Sequence, residues 1–195
     1  MSGAEMREAS EPKGQVSNHQ LIQRATLENL DDLVNLEEAC FCVPWSKKSF
    51  EAELEGNQFS RVFLLLNPDH DQKSQAIGYI CVWIVFEEIR FLNLAIRQGF
   101  RRQGFARKLI RKVLDLAVDA GCCRGMLEVR ETNMAAKKLY EYFNFKAYAT
   151  RKSYYTNPTE DAILMTLEPL GPITNERSEE HETLLGSQTT IHTIS

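Results

Sequence analysis

The chain of 195 residues is 43% hydrophobic and 26% charged, the profile of a globular protein with one core of useful size, which sets aside collagen-like, disulfide-knot and wholly disordered classes. Its 23 basic and 27 acidic residues leave a net charge of −4, the wrong sign for a dedicated nucleic-acid binder. The excess lies at the ends, because residues 20–170 carry 20 charges of each sign.

Residues 1–19 are polar and lack an apolar signal-peptide core, so they read as a disordered tail of a cytoplasmic, reduced protein. Leu21 to Ala25 reads as a first strand. Thr26 is placed to cap a helix whose stripe runs through Leu27, Leu30, Leu33, Val34 and Leu36 to Phe41. After Pro44-Trp45, Ser46 caps a short helix through Leu54. Val62–Leu66 then reads as a strand, followed by a turn at NPDHDQ.

Ala76 to Phe86 is the longest apolar run; its 11 residues are about half of the ~20 needed to span a bilayer, so no membrane partner is expected. Gly78–Phe86 and Ile89–Ile96 read as a hairpin separated by Glu87-Glu88. A helix starts near Gly104, with Phe105, Leu109, Ile110, Val113, Leu114, Leu116 and Ala117 at helical spacing and Gly121 at a left-handed end. Strand Met126–Val129, a helix from Asn133, and strands around Lys146–Arg151 and Ala162–Leu167 complete the series. One α+β domain over residues 20–168 follows, a mixed sheet of about seven strands flanked by about four helices, with 169–195 a disordered acidic tail.

Charge locates the chemistry. Between Arg97 and Lys112 stand seven basic residues and no acidic one, whereas residues 28–55 carry eight acids against Lys47 and Lys48. The basic run follows a strand and enters a helix, where free backbone N–H groups and the dipole's positive end favour an anion, and Gly104 permits close approach. This predicts a pyrophosphate cradle. The spacing Arg101-x-x-Gly104-x-Ala106 is neither the dinucleotide fingerprint nor a P-loop.

That motif, together with LEVRETN, LYEYFNF and YYTNPTEDA, resembles the GCN5-related N-acetyltransferase (GNAT) family. Within the family it is similar to the branch that acetylates the N-terminal alanine of a ribosomal protein, over roughly residues 20–168. The resemblance implies the family's splayed sheet, with acetyl-CoA as cosubstrate wedged between Phe91–Ile96 and Met126–Val129. It assigns backbone contacts to Leu94, Ala95 and Ile96, pyrophosphate binding to Arg102, Gln103, Gly104, Phe105, Ala106 and Arg107, and a further cofactor contact to Asn133. Glu128 matches the general base and Tyr140 the general acid. Phe41, Pro44 and Trp45 on one side, with Tyr154 and Tyr155 on the other, match the aromatics that frame a peptide N-terminus. The implied partner is a protein N-terminus, of a ribosomal protein, met by a monomer or weak oligomer. Two positions depart from the family pattern: Asn144 replaces a glycine, and Thr156 replaces the proline after the paired tyrosines.

The chemistry supplies independent reasons for these residue types. An amine attacks a thioester only when neutral and must then lose a proton, which suits a carboxylate; the departing thiolate needs one, which suits a phenol. The structural alternative pairs Glu128 with Arg130 and makes Tyr140 a core aromatic. Glu37, Glu38, Glu51, Glu53 and Glu55 are expected to steer basic protein substrates.

No metal is expected. Cys40-x-Cys42 and Cys122-Cys123 have no ligand-spaced partners among His19, His70, His181 and His192, and no histidine stands in an expected ordered element to activate a thiolate. Acetylation of a lysine or small amine, and a non-catalytic cofactor-binding module, are the rival readings.

Overall fold

The computed structural model describes residues 21–67 and 75–171, so the expected tail over 1–19, the NPDHDQ turn from Pro68 onward and residues 172–195 lie outside the described residues. In chain order the elements are β1 (Ile22–Arg24), α1 (Leu30–Cys40), α2 (Lys47–Glu51), β2 (Ser60–Leu66), β3 (Ala76–Val85), β4 (Glu88–Ile96), α3 (Phe105–Asp119), β5 (Arg124–Arg130), α4 (Met134–Tyr142), β6 (Lys146–Thr156) and β7 (Thr159–Leu167). The strands form one sheet in the order β1-β2-β3-β4-β5-β7-β6, antiparallel throughout except for the parallel pair β4–β5.

Both faces of the central strands are covered, which is why they read as continuous apolar runs. Along β2, Phe63 and Leu65 enter one core with Leu109, Ile110, Val113 and Leu114 of α3, while Val62 and Leu64 enter another with Leu30, Leu33 and Leu36 of α1. Side chains alternate across a strand, so one short segment serves two layers.

The ends of the elements follow local chemistry. Ser46 Oγ accepts from Ser49 N–H at 3.1 Å, capping α2 as the sequence suggests. Asn144 takes a left-handed φ of 65°, tolerable for asparagine, and Gly121 ends α3 at φ 83°. The β3–β4 turn is Phe86-Glu87 rather than Glu87-Glu88. Glu88 belongs to the strand, where Arg90 and Arg124 (Nη2, 2.9 Å) neutralise it. Packing continues past the expected boundary at 168, with Leu170 buried and its N–H donating to Cys123 O at 2.7 Å.

Two irregularities shape the site. In β4, Asn93 faces Cys81 but Phe91 faces Val82, so Leu92 is an extra, bulged residue. The β4–β5 pairing ends at Phe91–Leu127, leaving Leu92–Ile96 and Glu128–Arg130 to diverge. A bulge bends its strand and increases local twist, which accounts for the splay beginning there. In β6, Arg151 faces Ala162 and Tyr155 faces Glu160, so three residues stand opposite Asp161 alone.

Candidate active site

Where β4 and β5 cease to pair with each other, each still held by its outer neighbour β3 or β7, their facing edges form the walls of an opening in the sheet. Arg97 N–H donates to Ile77 O at 2.8 Å, which sets the phase of the antiparallel β3–β4 ladder. By that alternation Ala95, opposite Tyr79, turns its backbone toward β3, whereas Leu94 and Ile96 turn theirs toward the opening. Local side chains take one group of each, Leu94 N–H donating to Asn93 Oδ1 at 3.0 Å and Ile96 O accepting from Arg101 Nε at 2.9 Å, which leaves Leu94 O and Ile96 N–H toward the opening. Of the three residues assigned to the pantetheine arm, two have the required orientation and Ala95 is committed to the ladder.

Beyond β4 the chain curls through left-handed residues at Arg102 (φ 65°) and Gly104 (φ 82°) into α3. The first helical bond is Lys108 N–H to Gly104 O at 3.1 Å, and no side chain caps the helix, so the N–H groups of Phe105, Ala106 and Arg107 are uncommitted to it. A Cβ built on Gly104 meets nothing within 4 Å, so the backbone faces open space. Arg102 and Gln103 are exposed; Gln103 Nε2 donates to Gly99 O at 3.1 Å. Arg107 lies over the Tyr142 ring, 4.1 Å from its centroid, and thereby joins α3 to α4. An uncapped helix end, an unobstructed glycine and a basic loop fit a pyrophosphate.

Glu128 stands on β5 at the start of the divergence. Its Oε1 lies 2.9 Å from Arg151 Nη1, not on Arg130, which pairs with Glu160 at 3.2 Å. Glu128 is also the main cause of the raised pKa of Tyr154. The β6 bulge brings these groups across: Asp161 Oδ1 accepts Ser153 N–H at 2.8 Å and the same carboxylate binds Lys152, pinning the extra residues. Arg151 stacks on Tyr154 at 4.8 Å and Arg130 on Tyr155 at 4.0 Å.

Tyr140 is on α4 in an aromatic group with Phe91 (5.8 Å) and Phe145 (5.7 Å). Its ring is therefore enclosed as a core aromatic. No buried side-chain oxygen or nitrogen among the described residues lacks a partner, and none is found for the Tyr140 hydroxyl, so that oxygen reaches accessible surface. Burial first, then Tyr155, pushes its pKa well above the ordinary tyrosine range, so it remains a protonated donor. Tyr155 is itself raised, by burial first and then by the Glu128 charge. Asn133 caps α4, its Oδ1 accepting Ala136 N–H at 3.1 Å, and its side-chain amide nitrogen is a donor not used by the cap.

On the β4 side, Phe41 and Pro44 are exposed, and Trp45 packs on Phe50 with centroids 5.5 Å apart. Glu37, grouped by charge with the steering acids, is instead interior at 1% exposure and accepts from Trp45 N–H, Tyr79 and Asn93. Glu53 accepts from Trp83 Nε1 at 2.7 Å. Neither is a free surface charge, which leaves Glu38, Glu51 and Glu55 as the exposed members. One signal placed Glu37: it falls seven residues after Leu30 and four after Leu33, on the buried stripe of α1. Nothing comparable marked Arg151 or Asp161, whose partners lie on other strands.

Among the described residues no group of three or more side chains is placed to hold a metal, and no helix is long and apolar enough to cross a membrane.

The acetyltransferase (GNAT) family model matches residues 30–145. A ribosomal protein bS18-alanine N-acetyltransferase of Haemophilus ducreyi is 30% identical over 150 residues, covering 75% of this chain and 99% of that protein. The Escherichia coli K12 enzyme of the same name is 32% identical over 135 residues, covering 68% and 86%. The crystal structure of the ribosomal-protein-S18-alanine N-acetyltransferase from Escherichia coli superposes with a TM-score of 0.69 at 28% identity, covering 79% of this chain and 96% of that one. The open seven-stranded sheet and the family match agree: the chain belongs to the acetyltransferase (GNAT) family, as an acetyl-CoA-dependent N-acetyltransferase.

Proposed function

We propose that this protein transfers the acetyl group of acetyl-CoA to the α-amino group of a protein's N-terminal residue, the alanine of ribosomal protein bS18 being the substrate for which its relatives are named. The observation that carries the reading is the opening beyond Phe91–Leu127, where a carboxylate, Glu128, and a phenol, Tyr140, flank strands whose pairing has ended. The setting is the cytoplasm.

When bound, acetyl-CoA supplies the thioester carbonyl that the amine attacks. The loop from Arg102 to Arg107 holds its pyrophosphate on backbone N–H groups, while Leu94 and Ile96 offer edge hydrogen bonds to its arm; Asn133 adds its amide nitrogen. Glu128 takes the proton that the attacking amine loses, and the Tyr140 hydroxyl donates toward the departing sulfur. Arg151 is half-exposed, and an exposed pair of this kind is worth ~0.2–1 kcal/mol, so the guanidinium yields Glu128 to an incoming amine at small cost. Phe41, Pro44 and Trp45 form one lip of the peptide path and Tyr154 and Tyr155 the other.

A modest base suffices for an α-amino group. Its pKa is ~7.8, against ~10.4 for lysine, so at pH ~7.4 roughly 30% of N-termini but only ~0.1% of lysines are neutral. The test is acetyl-CoA turnover on peptides beginning with Ala, Ser or Met, compared with N-terminally blocked peptides carrying an internal lysine, with the acetylated position read by mass spectrometry. Acetylation of the free N-terminus is expected. Modification confined to lysine, or cofactor binding without thiol release, would favour the rival readings.

A further inference from the structure

The Glu37 carboxylate is 1% exposed and surrounded by donors from three different elements. Oε1 accepts the Trp45 backbone N–H at 3.0 Å and Asn93 Nδ2 at 3.1 Å; Oε2 accepts the Tyr79 hydroxyl and lies 3.3 Å from the same Asn93 nitrogen. Trp45 belongs to the segment before α2, Tyr79 to β3 and Asn93 to β4 beside its bulge. Phe41 to Pro44, just before Trp45, are all exposed. The carboxylate thus fastens an otherwise superficial loop to the strand edge that lines the opening.

A side chain there is not needed as a charge for packing, since an apolar residue fills a core without the desolvation cost that an interior carboxylate incurs. What a carboxylate adds is direction. It can only accept, so it obliges Asn93 to present Nδ2 to it and Oδ1 to Leu94 N–H, and it obliges the loop to present Trp45 N–H inward.

We propose that Glu37 is a positioning residue for the acceptor peptide, holding the Phe41–Trp45 lip at a fixed distance from β4 through Trp45 N–H while Tyr79 and Asn93 hold the carboxylate. The proposal rests on the reading of Phe41, Pro44 and Trp45 as the substrate lip. Glu37 touches neither the amine nor the thioester, and a glutamine carbonyl at that position still accepts Asn93 Nδ2 and so leaves Leu94 N–H on Asn93, so Glu37→Gln acts on peptide binding and not on the cofactor.

The test uses the full chain. In the wild type, the Trp45 amide exchanges hydrogen as slowly as core amides of β2–β4 although its neighbours are exposed; in Glu37→Gln it exchanges at least tenfold faster with β2–β4 protection unchanged. In steady-state assays Glu37→Gln raises the peptide KM about tenfold, while the calorimetric acetyl-CoA Kd stays within twofold. Asn93→Ser, which keeps one donor for the carboxylate, has a lower peptide KM than Asn93→Ala. A Trp45 amide that exchanges like an exposed loop in the wild type overturns the proposal, and that measurement is independent of whether Glu37→Gln folds. So does a Glu37→Gln protein whose acetyl-CoA affinity and peptide KM deteriorate together, the mark of a merely structural group. If the wild type turns over no N-terminal peptide, the functional reading fails, while the exchange experiment still decides whether Glu37 holds the lip.

Discussion

Arg151 Nη1 sits 2.9 Å from Glu128 Oε1, so the carboxylate at the mouth of the sheet is met by a cation from β6, two positions away across β7 in the strand order. Because both side chains are part-exposed, the pair positions Glu128 without burying it. Glu128→Gln therefore leaves the melting temperature within a few degrees of wild type and lowers kcat/KM by about 10²–10⁴, the range for loss of a general base. Paired thermal melts and peptide kinetics check both halves; unchanged turnover sinks the assignment.

Tyr140→Phe removes an oxygen that no protein group binds and keeps the ring against Phe91 and Phe145. Stability should shift by less than about 1 kcal/mol, while kcat falls by about 10² or more. Tyr140→Ala differs in kind, since emptying an aromatic site costs about 3–5 kcal/mol. Denaturant unfolding beside single-turnover rates separates the two effects.

Gly104 combines φ 82° with open space above it. Gly104→Ala meets no steric obstacle outside its own backbone but carries the left-handed cost of about 1–2 kcal/mol, roughly tenfold in acetyl-CoA Kd if the loop relaxes away from its curl. Calorimetry at two ionic strengths reads this directly. The exposed Arg102 should make wild-type affinity fall with salt, and Arg102→Ala should reduce that dependence.

Asp161 is held below the ordinary aspartate range, chiefly by its hydrogen bond to Lys152 and next by Ser153 N–H. A folded-state pKa lowered in this way means the carboxylate's stabilisation is complete at neutral pH and is lost only as pH falls through the lowered value. The Ser153 amide resonance should accordingly hold its position through the ordinary aspartate range and shift below it. At neutral pH Asp161→Ala releases the bulge, raising peptide KM about fivefold with acetyl-CoA Kd within twofold. An unmoved peptide KM would remove the bulge from substrate binding.

The local signals were sufficient for most elements. Ser46, Gly104, Gly121 and Asn133 lie at the helix ends expected of them because capping and left-handed backbone are decided by one or two residues. The hairpin turn was misplaced by one residue because Glu88, an unlikely strand residue by itself, is neutralised by Arg124 from a strand 36 residues later. Glu37 differs from its expected solvated role for a related cause: its place on the α1 stripe marks it as interior, but the donors that make an interior carboxylate tolerable, the farthest along the chain being Asn93 of β4, come from other elements.

By itself, the sequence determined the class of sheet, the basic loop before α3 and the residue types that acyl transfer to an amine requires, since these depend on periodicity, on charge density along the chain and on spacing within a helix turn. Only the tertiary structure decided where β4 and β5 part, that Arg151 rather than Arg130 meets Glu128, that Ala95 faces its ladder, and that the Glu37 carboxylate binds the Trp45 amide. Each of those depends on strand register and on bulges, where a shift of one residue exchanges the two faces and so cannot be read from the order of residues along a single strand.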